Sequence, residues 1–137
     1  MINDKLKRLE ENLRVLTDFK EHYSLEDLLT NKVDEWALRY GLLESIQIII
    51  DVSCSFVAEK NLGIPKNYSE CILLIVSNNY LDKDLGERII RMACLAGRQV
   101  GLRNLLVHEY GVIDVQRLYE HLDHLNDIRD FAIAISK

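Results

Sequence analysis

The sequence predicts an all-α, up-and-down bundle of four main helices with shorter ones between them. Two observations carry the expectation. A single proline (Pro65) and six glycines interrupt 137 residues that are rich in Leu, Ile, Glu, Lys and Arg, a balance that favours long helices over many short strands. Apolar residues then recur at spacings of three, four and seven along most of the chain, the repeat that puts them on one helical face. Hydrophobic residues make up 48% and charged residues 28%, and the length suits one domain with one core, expected over residues 1–137.

Taken in order, Ile2, Leu6, Leu9, Leu13, Leu16 and Tyr23 form one stripe and predict a helix over 4–22 with Asp4 as its N-cap. Ser24 with an acid three residues on, at Asp27, resembles a capping box for a short turn. A long helix is expected over 32–62, stopped by Asn61-Leu62-Gly63 with Pro65 beyond. Most of its faces are apolar (Val33, Ala37, Leu42, Ile46, Ile48, Ile49, Ile50, Val52, Val57). One line is polar: Tyr40, Glu44, Gln47, Asp51 and Ser55. That line is either solvent-facing or turned to a site or subunit interface. Asp51, inside Ile-Ile-Ile-Asp-Val, needs a partner.

Ser69 is placed to cap a short helix over 69–78, and Ser77-Asn78-Asn79 reads as a turn. A second long helix is expected over 82–109, starting at Asp82 or Asp84, with Gly111 just past its end. It carries Arg88, Arg91, Arg98 and Arg103 within an arc of roughly 140°, the one basic stripe in the sequence. Asp114 caps a last helix over 115–135, with Val115, Leu118, Leu122, Leu125, Ala132 and Ile135 on its apolar face.

The net charge of −5 argues against a nucleic-acid binder driven by overall charge, so any such role needs the local basic stripe. Cys54, Cys71 and Cys94 are far apart, odd in number and set among apolar residues. They are expected to be buried unpaired thiols in a reducing cytosol, with no zinc pattern. The N-terminus is charged and helical and lacks the apolar core of a signal peptide. The longest apolar run, 46–52, is broken by Gln47 and Asp51 and is too short to span a bilayer, so a cytoplasmic protein is expected.

The chemistry concentrates in Gly101-Leu102-Arg103-Asn104-Leu105-Leu106-Val107-His108-Glu109-Tyr110-Gly111. Arginine offers a permanent charged fork that matches phosphate oxygens, and histidine exchanges a proton near neutral pH. RNA brings its own nucleophile, the 2′-OH. A histidine base and an arginine that stabilises the phosphorane therefore need neither metal nor cofactor to cleave it. Arg103 and His108 are five positions apart, so on a straight helix they point about 140° from each other. Either the helix unwinds before Gly111, or two copies meet across a two-fold axis and share the cleft. The plainer alternative is that both residues cap the last carbonyls of a helix and Tyr110 packs. Elsewhere, His121 and His124 sit three apart at a spacing that suits metal ligands or a simple surface pair. Trp36 and the tyrosines suit either packing or base stacking.

The stretch Arg103-Asn104-Leu105-Leu106-Val107-His108-Glu109-Tyr110 resembles the Arg-x4-His-x-Tyr motif of the HepT-like subfamily of HEPN proteins. Pro65-Lys66-Asn67-Tyr68-Ser69-Glu70, the helix around Asp51, and Asp114-Val115-Gln116-Arg117-Leu118-Tyr119 extend the resemblance over about residues 30–125. It implies a HEPN-like, homodimeric helical toxin with endoribonuclease activity. Arg103 and His108 would be the catalytic pair, with Asn104 and Asp51 in support. Tyr110 would be the residue that a small nucleotidyltransferase antitoxin modifies with AMP. The rival functional expectation is a non-catalytic dimeric nucleotide- or RNA-binding partner of a nucleotidyltransferase. A third is a structural bundle in which Arg103 and His108 only cap.

Overall fold

The computed structural model describes residues 2–93 and 115–137, and every regular element in them is helical. In chain order these are α1 (Ile2–His22), α2 (Leu25–Thr30), α3 (Lys32–Lys60), α4 (Tyr68–Ser77), α5 (Lys83–Ala93), α6 (Val115–Glu120), a 3-10 turn (His121–His124) and α7 (Leu125–Ser136). The expected all-helical bundle is thus the observed one.

The bundle is built around α3, which packs against α1, α2, α4, α5 and α6. Its buried positions Leu38, Leu42, Ile46, Ile48, Ile49, Ile50, Val52, Phe56 and Val57 cover an arc of roughly 200° around its axis. By length and composition α3 is also apolar enough to cross a membrane, but 56% of its most apolar window lies inside the protein, as in a core helix. Against it, α1 lays down the stripe Leu6, Leu9, Leu13 and Leu16, and α4 lays down Cys71, Ile72 and Ile75. Leu118, Leu122, Leu125, Ile128, Phe131 and Ile135 complete the core from the C-terminal part of the chain. Each such fully buried side chain is worth about 1.5–3 kcal/mol relative to exposure.

Local chemistry sets the helix ends. Ser24 and Asp27 form the expected capping box, each side chain taking the other's backbone N–H. Asn31 Oδ1 accepts from Val33 N at 3.0 Å to start α3. Asn61 ends it in the left-handed conformation, φ 54°. The cap of α4 is Asn67 rather than Ser69, because Asn67 Oδ1 accepts from Glu70 N at 3.0 Å while Tyr68 and Ser69 already lie inside the helix. Asp4 is not an N-cap, since α1 begins earlier, at Ile2, and holds Asp4 in its first turn. Asp82 is the start signal of α5, its Oδ2 accepting from Asp84 N and Leu85 N at 3.1 and 3.2 Å. Of the long helix expected over 82–109, residues 94–109 lie outside the described part, as does Asp114.

Three further expectations are corrected. The last helix is not continuous: residues His121–His124 tighten into a 3-10 turn between α6 and α7. Cys54 and Cys71 are not free thiols but are joined by a disulfide between α3 and α4, with Cα atoms 5.1 Å apart, a separation that suits such a bridge. The loop after Asn61 folds α4 back onto α3, so residues 17 apart in sequence face each other. Cys94 lies outside the described residues. Val33 and Trp36, at the start of α3, are 67% and 53% exposed, so this first stretch is not core.

Helices α4 and α5 approach closely at Gly86, which is buried on α5. A Cβ there would lie 2.5 Å from Val76 Cγ2, a stiff β-branched side chain that cannot swing away cheaply. Gly86→Ala is therefore expected to lower stability by about 1–3 kcal/mol, despite alanine's better helix propensity. Urea unfolding checks this, and Val76→Ala in the same chain should recover most of the loss.

Candidate functional site

The segment that carries Arg103, Asn104, His108 and Tyr110 lies outside the described residues, as do Arg98 and Glu109. What the structure describes is its surroundings in the chain: α5, which runs into it, and α6 with the 3-10 turn, which follow it.

Asp51 sits on α3 with its side chain 42% exposed. Lys5 Nζ of α1 lies 3.7 Å from Asp51 Oδ2, and Gln47 Nε2 donates to Oδ1 at 3.1 Å. The polar line of α3 thus meets the polar edge of α1. Its centre is Glu44, 17% exposed at the side chain. Arg8 Nε donates to Glu44 Oε1 at 2.6 Å and Arg8 Nη2 to Oε2 at 3.4 Å, while Asn12 Nδ2 donates to Oε1 at 3.1 Å. Arg8, then the Tyr40 hydroxyl, hold the Glu44 carboxyl down at about 2. At Glu44 and Asp51 the line forms a polar seam between the first two long helices, while Tyr40 stays exposed.

Two arginines of the basic stripe, Arg88 and Arg91, lie among the described residues. Arg88 Nε of α5 donates to Asp127 Oδ1 of α7 at 3.1 Å, pinning the two helices together. Arg91, one turn on, is exposed. Beside them lie His121 and His124. In a 3-10 turn, residues three apart eclipse each other, which puts both imidazoles on one side with ring centroids 6.0 Å apart. Arg88, Arg91, Met92, His121, His124 and Asp127 line a cavity of about 180 Å³.

His121 is only partly exposed, and its buried Nδ1 has no hydrogen-bond partner among the described residues. Burial, then the neighbouring His124 and Arg117, push its imidazole down to about 4. It is therefore neutral at pH 7 and is not the plain surface histidine its sequence context allows. The spacing alone could not reveal this, because burial depends on what the folded chain packs around the turn.

A metal reading of these histidines is weak. Asp127, the nearest third ligand, is engaged by Arg88, and two guanidinium groups oppose a cation. Asp18, Glu21 and His22 on α1 form a second grouping, with ligand atoms within 4.8 Å of one another, but all three are exposed. His22 Nδ1 donates to the Asp18 carbonyl at 2.8 Å, a bond that raises its pKa and reads as a helix-end contact.

Two acid-sensitive contributions follow, with separable windows. For His121, the unfolded chain takes up its proton near 6.5 and the folded chain only near 4. Stability from this group is complete above about pH 6.5 and falls as pH drops towards 4, by about 3 kcal/mol at most. For Glu44, the contribution is complete above 4.5 and is lost as pH falls towards 2. Thermal unfolding across pH 2–8 should show His121→Gln flattening the upper window and Glu44→Gln the lower one.

The family model described as ribonuclease HepT-like matches residues 9–135. The mRNA nuclease HepT of Shewanella oneidensis is 25% identical over 133 residues, which cover 95% of this chain and 86% of that one. Among solved structures, a tri-AMPylated HEPN toxin of Shewanella oneidensis in complex with MNT antitoxin superposes with a TM-score of 0.83 at 20% identity, over 98% of this chain and 96% of that one. The cytosolic protein YutE from Bacillus subtilis, of unknown function, gives a TM-score of 0.81 at 19% identity, over 98% and 85% of the two chains. At these identities the structures speak to the fold, and the family match speaks to descent. The chain belongs to the HepT-like ribonuclease family.

Proposed function

We propose that this protein is the endoribonuclease toxin of a toxin–antitoxin pair, that it acts in the cytosol as a homodimer, and that a nucleotidyltransferase antitoxin silences it. The observation that carries the reading is the family match over residues 9–135 together with the Arg103-x4-His108-x-Tyr110 pattern that falls inside it. The mRNA nuclease name of one relative and the antitoxin-bound state of another support the same direction.

In this reading His108 takes the proton from a ribose 2′-OH, and the 2′-oxygen attacks the adjacent phosphorus. Arg103 balances the charge that builds on the phosphorane oxygens. The bond to the 5′-oxygen breaks, that oxygen takes up a proton, and the products are a 2′,3′-cyclic phosphate and a 5′-OH. No metal is required. Two copies of the Arg–His segment across a two-fold axis answer the five-residue spacing, which one straight helix does not. Asn104 would position the strand beside Arg103. Asp51, held at Lys5 and Gln47, would act only by supporting the helices around the site.

Control would act at Tyr110. The antitoxin transfers an adenylyl group from ATP to the phenolic oxygen and releases pyrophosphate. The added phosphate and base fill or repel the position of the RNA phosphate next to Arg103 and His108.

Expression of the chain alone is expected to arrest growth, with Arg103→Ala and His108→Ala each relieving the arrest and leaving the dimer intact by light scattering. Purified protein should cut RNA in the presence of EDTA and leave cyclic-phosphate ends. Uncut RNA, with His108→Ala as toxic as wild type, would favour the non-catalytic binding partner instead. Co-expression with the antitoxin should add one or more adenylyl groups to the intact mass. Peptide mapping should place them at Tyr110, and Tyr110→Phe should show no gain there.

A further inference from the structure

We propose that Arg88, Arg91, His121 and His124 form a phosphate-binding subsite that holds a backbone phosphate of the RNA strand other than the one being cleaved. The inference rests on the RNA-directed reading above.

Four features of the cavity point to an anion. Arg88 and Arg91 sit one turn apart on α5, so both guanidinium groups project from the same side of that helix. Arg88 is anchored through Nε to Asp127 Oδ1, which fixes its plane and leaves both Nη groups without another partner among the described residues. Arg91 is exposed, and no acid pairs with it among the described residues. His121 and His124 line the same cavity, and the buried Nδ1 of His121 has no hydrogen-bond partner among the described residues. A neutral imidazole N–H is a suitable donor to a phosphate oxygen.

Charge and size agree with this. Among the described residues Asp127 pairs with one arginine and no acid pairs with the other, which matches the single charge of a phosphodiester. A cavity of about 180 Å³ admits a phosphate group but not a nucleotide base and sugar with it. In the sequence, Arg88 and Arg91 lead the run of arginines that continues with Arg98 and Arg103. An acidic protein of net charge −5 needs such a local track to hold a polyanion.

The test measures binding of a fluorescein-labelled single-stranded RNA to the full-length chain across a salt series. The His108→Ala protein serves as the background so that the strand stays whole. Arg91→Ala is expected to weaken binding roughly fivefold at low salt and to reduce the slope of log K against log salt by about 0.7, the share of one single-strand phosphate contact. Thermal unfolding should not move, because Arg91 pairs with no described acid. Inorganic phosphate and AMP are titrated separately while the imidazole signals of His121 and His124 are followed by NMR. Signals that move with RNA, and that do so less in Arg91→Ala, support the subsite. Unchanged RNA affinity and salt slope in Arg91→Ala overturn it. If phosphate or AMP moves the imidazole signals while RNA binding ignores Arg91, the pocket takes free phosphate and the strand assignment is wrong. The two readings fail separately. Arg91-dependent RNA binding without any RNA cleavage by the unsubstituted chain removes the nuclease reading alone, and cleavage with Arg91-independent binding removes the subsite alone.

Discussion

A 29-residue helix that is apolar on almost every face can be stable in water only if other elements surround it. That demand from α3 shapes everything else described here. It requires α1, α2, α4, α5 and α6 to bring apolar side chains to it, as stripes from α1, α4 and α5 and as Leu28 and Leu118 from the short α2 and α6. The disulfide between Cys54 and Cys71 and the close approach at Gly86 are consequences of how tightly α4 is drawn in between α3 and α5.

The same demand decides where polar groups go. A helix buried this deeply has one strip left for hydrogen-bonding side chains, and α1 supplies the partners for it: Lys5 for Asp51, Arg8 and Asn12 for Glu44. Farther along, Tyr119 donates its hydroxyl to the Tyr23 carbonyl at 2.7 Å and Lys20 pairs with Asp123 at 3.1 Å, tying the C-terminal elements to the end of α1. Most of these charges are structural, and they hold the bundle in register. Arg91 and His121 differ, since among the described residues neither the exposed guanidinium nor the buried ring nitrogen has a partner that would hold the bundle together. Groups of that kind mark a place built for something that arrives.

Legibility in the sequence followed the range of the interaction involved. The capping box at Ser24 and Asp27 and the left-handed stop at Asn61 are decided by residues within three positions, and both were readable. The cap of α4 was misplaced by two residues, since Asn67 and Ser69 are both competent caps and the loop geometry after Pro65 selects between them. The break at His121–His124 was missed because the apolar spacing through Leu118, Leu122 and Leu125 suits either a continuous helix or a tightened turn. Of the candidate site residues, Asp51 is the one that lies among the described residues, where it meets Lys5 from α1.

By itself, then, the sequence determined the helical class, the stripe on each helix, most helix ends and the family motif at Arg103, His108 and Tyr110. All of these depend on residue identity and on spacing within one helix. Only the tertiary structure decided that Cys54 meets Cys71, that Glu44 takes Arg8, that Arg88 is pinned by Asp127, and that a half-buried His121 shares a cavity with Arg91. Those contacts join residues brought together by the folding of helices onto α3, and the charge state of a histidine depends on what finally covers it.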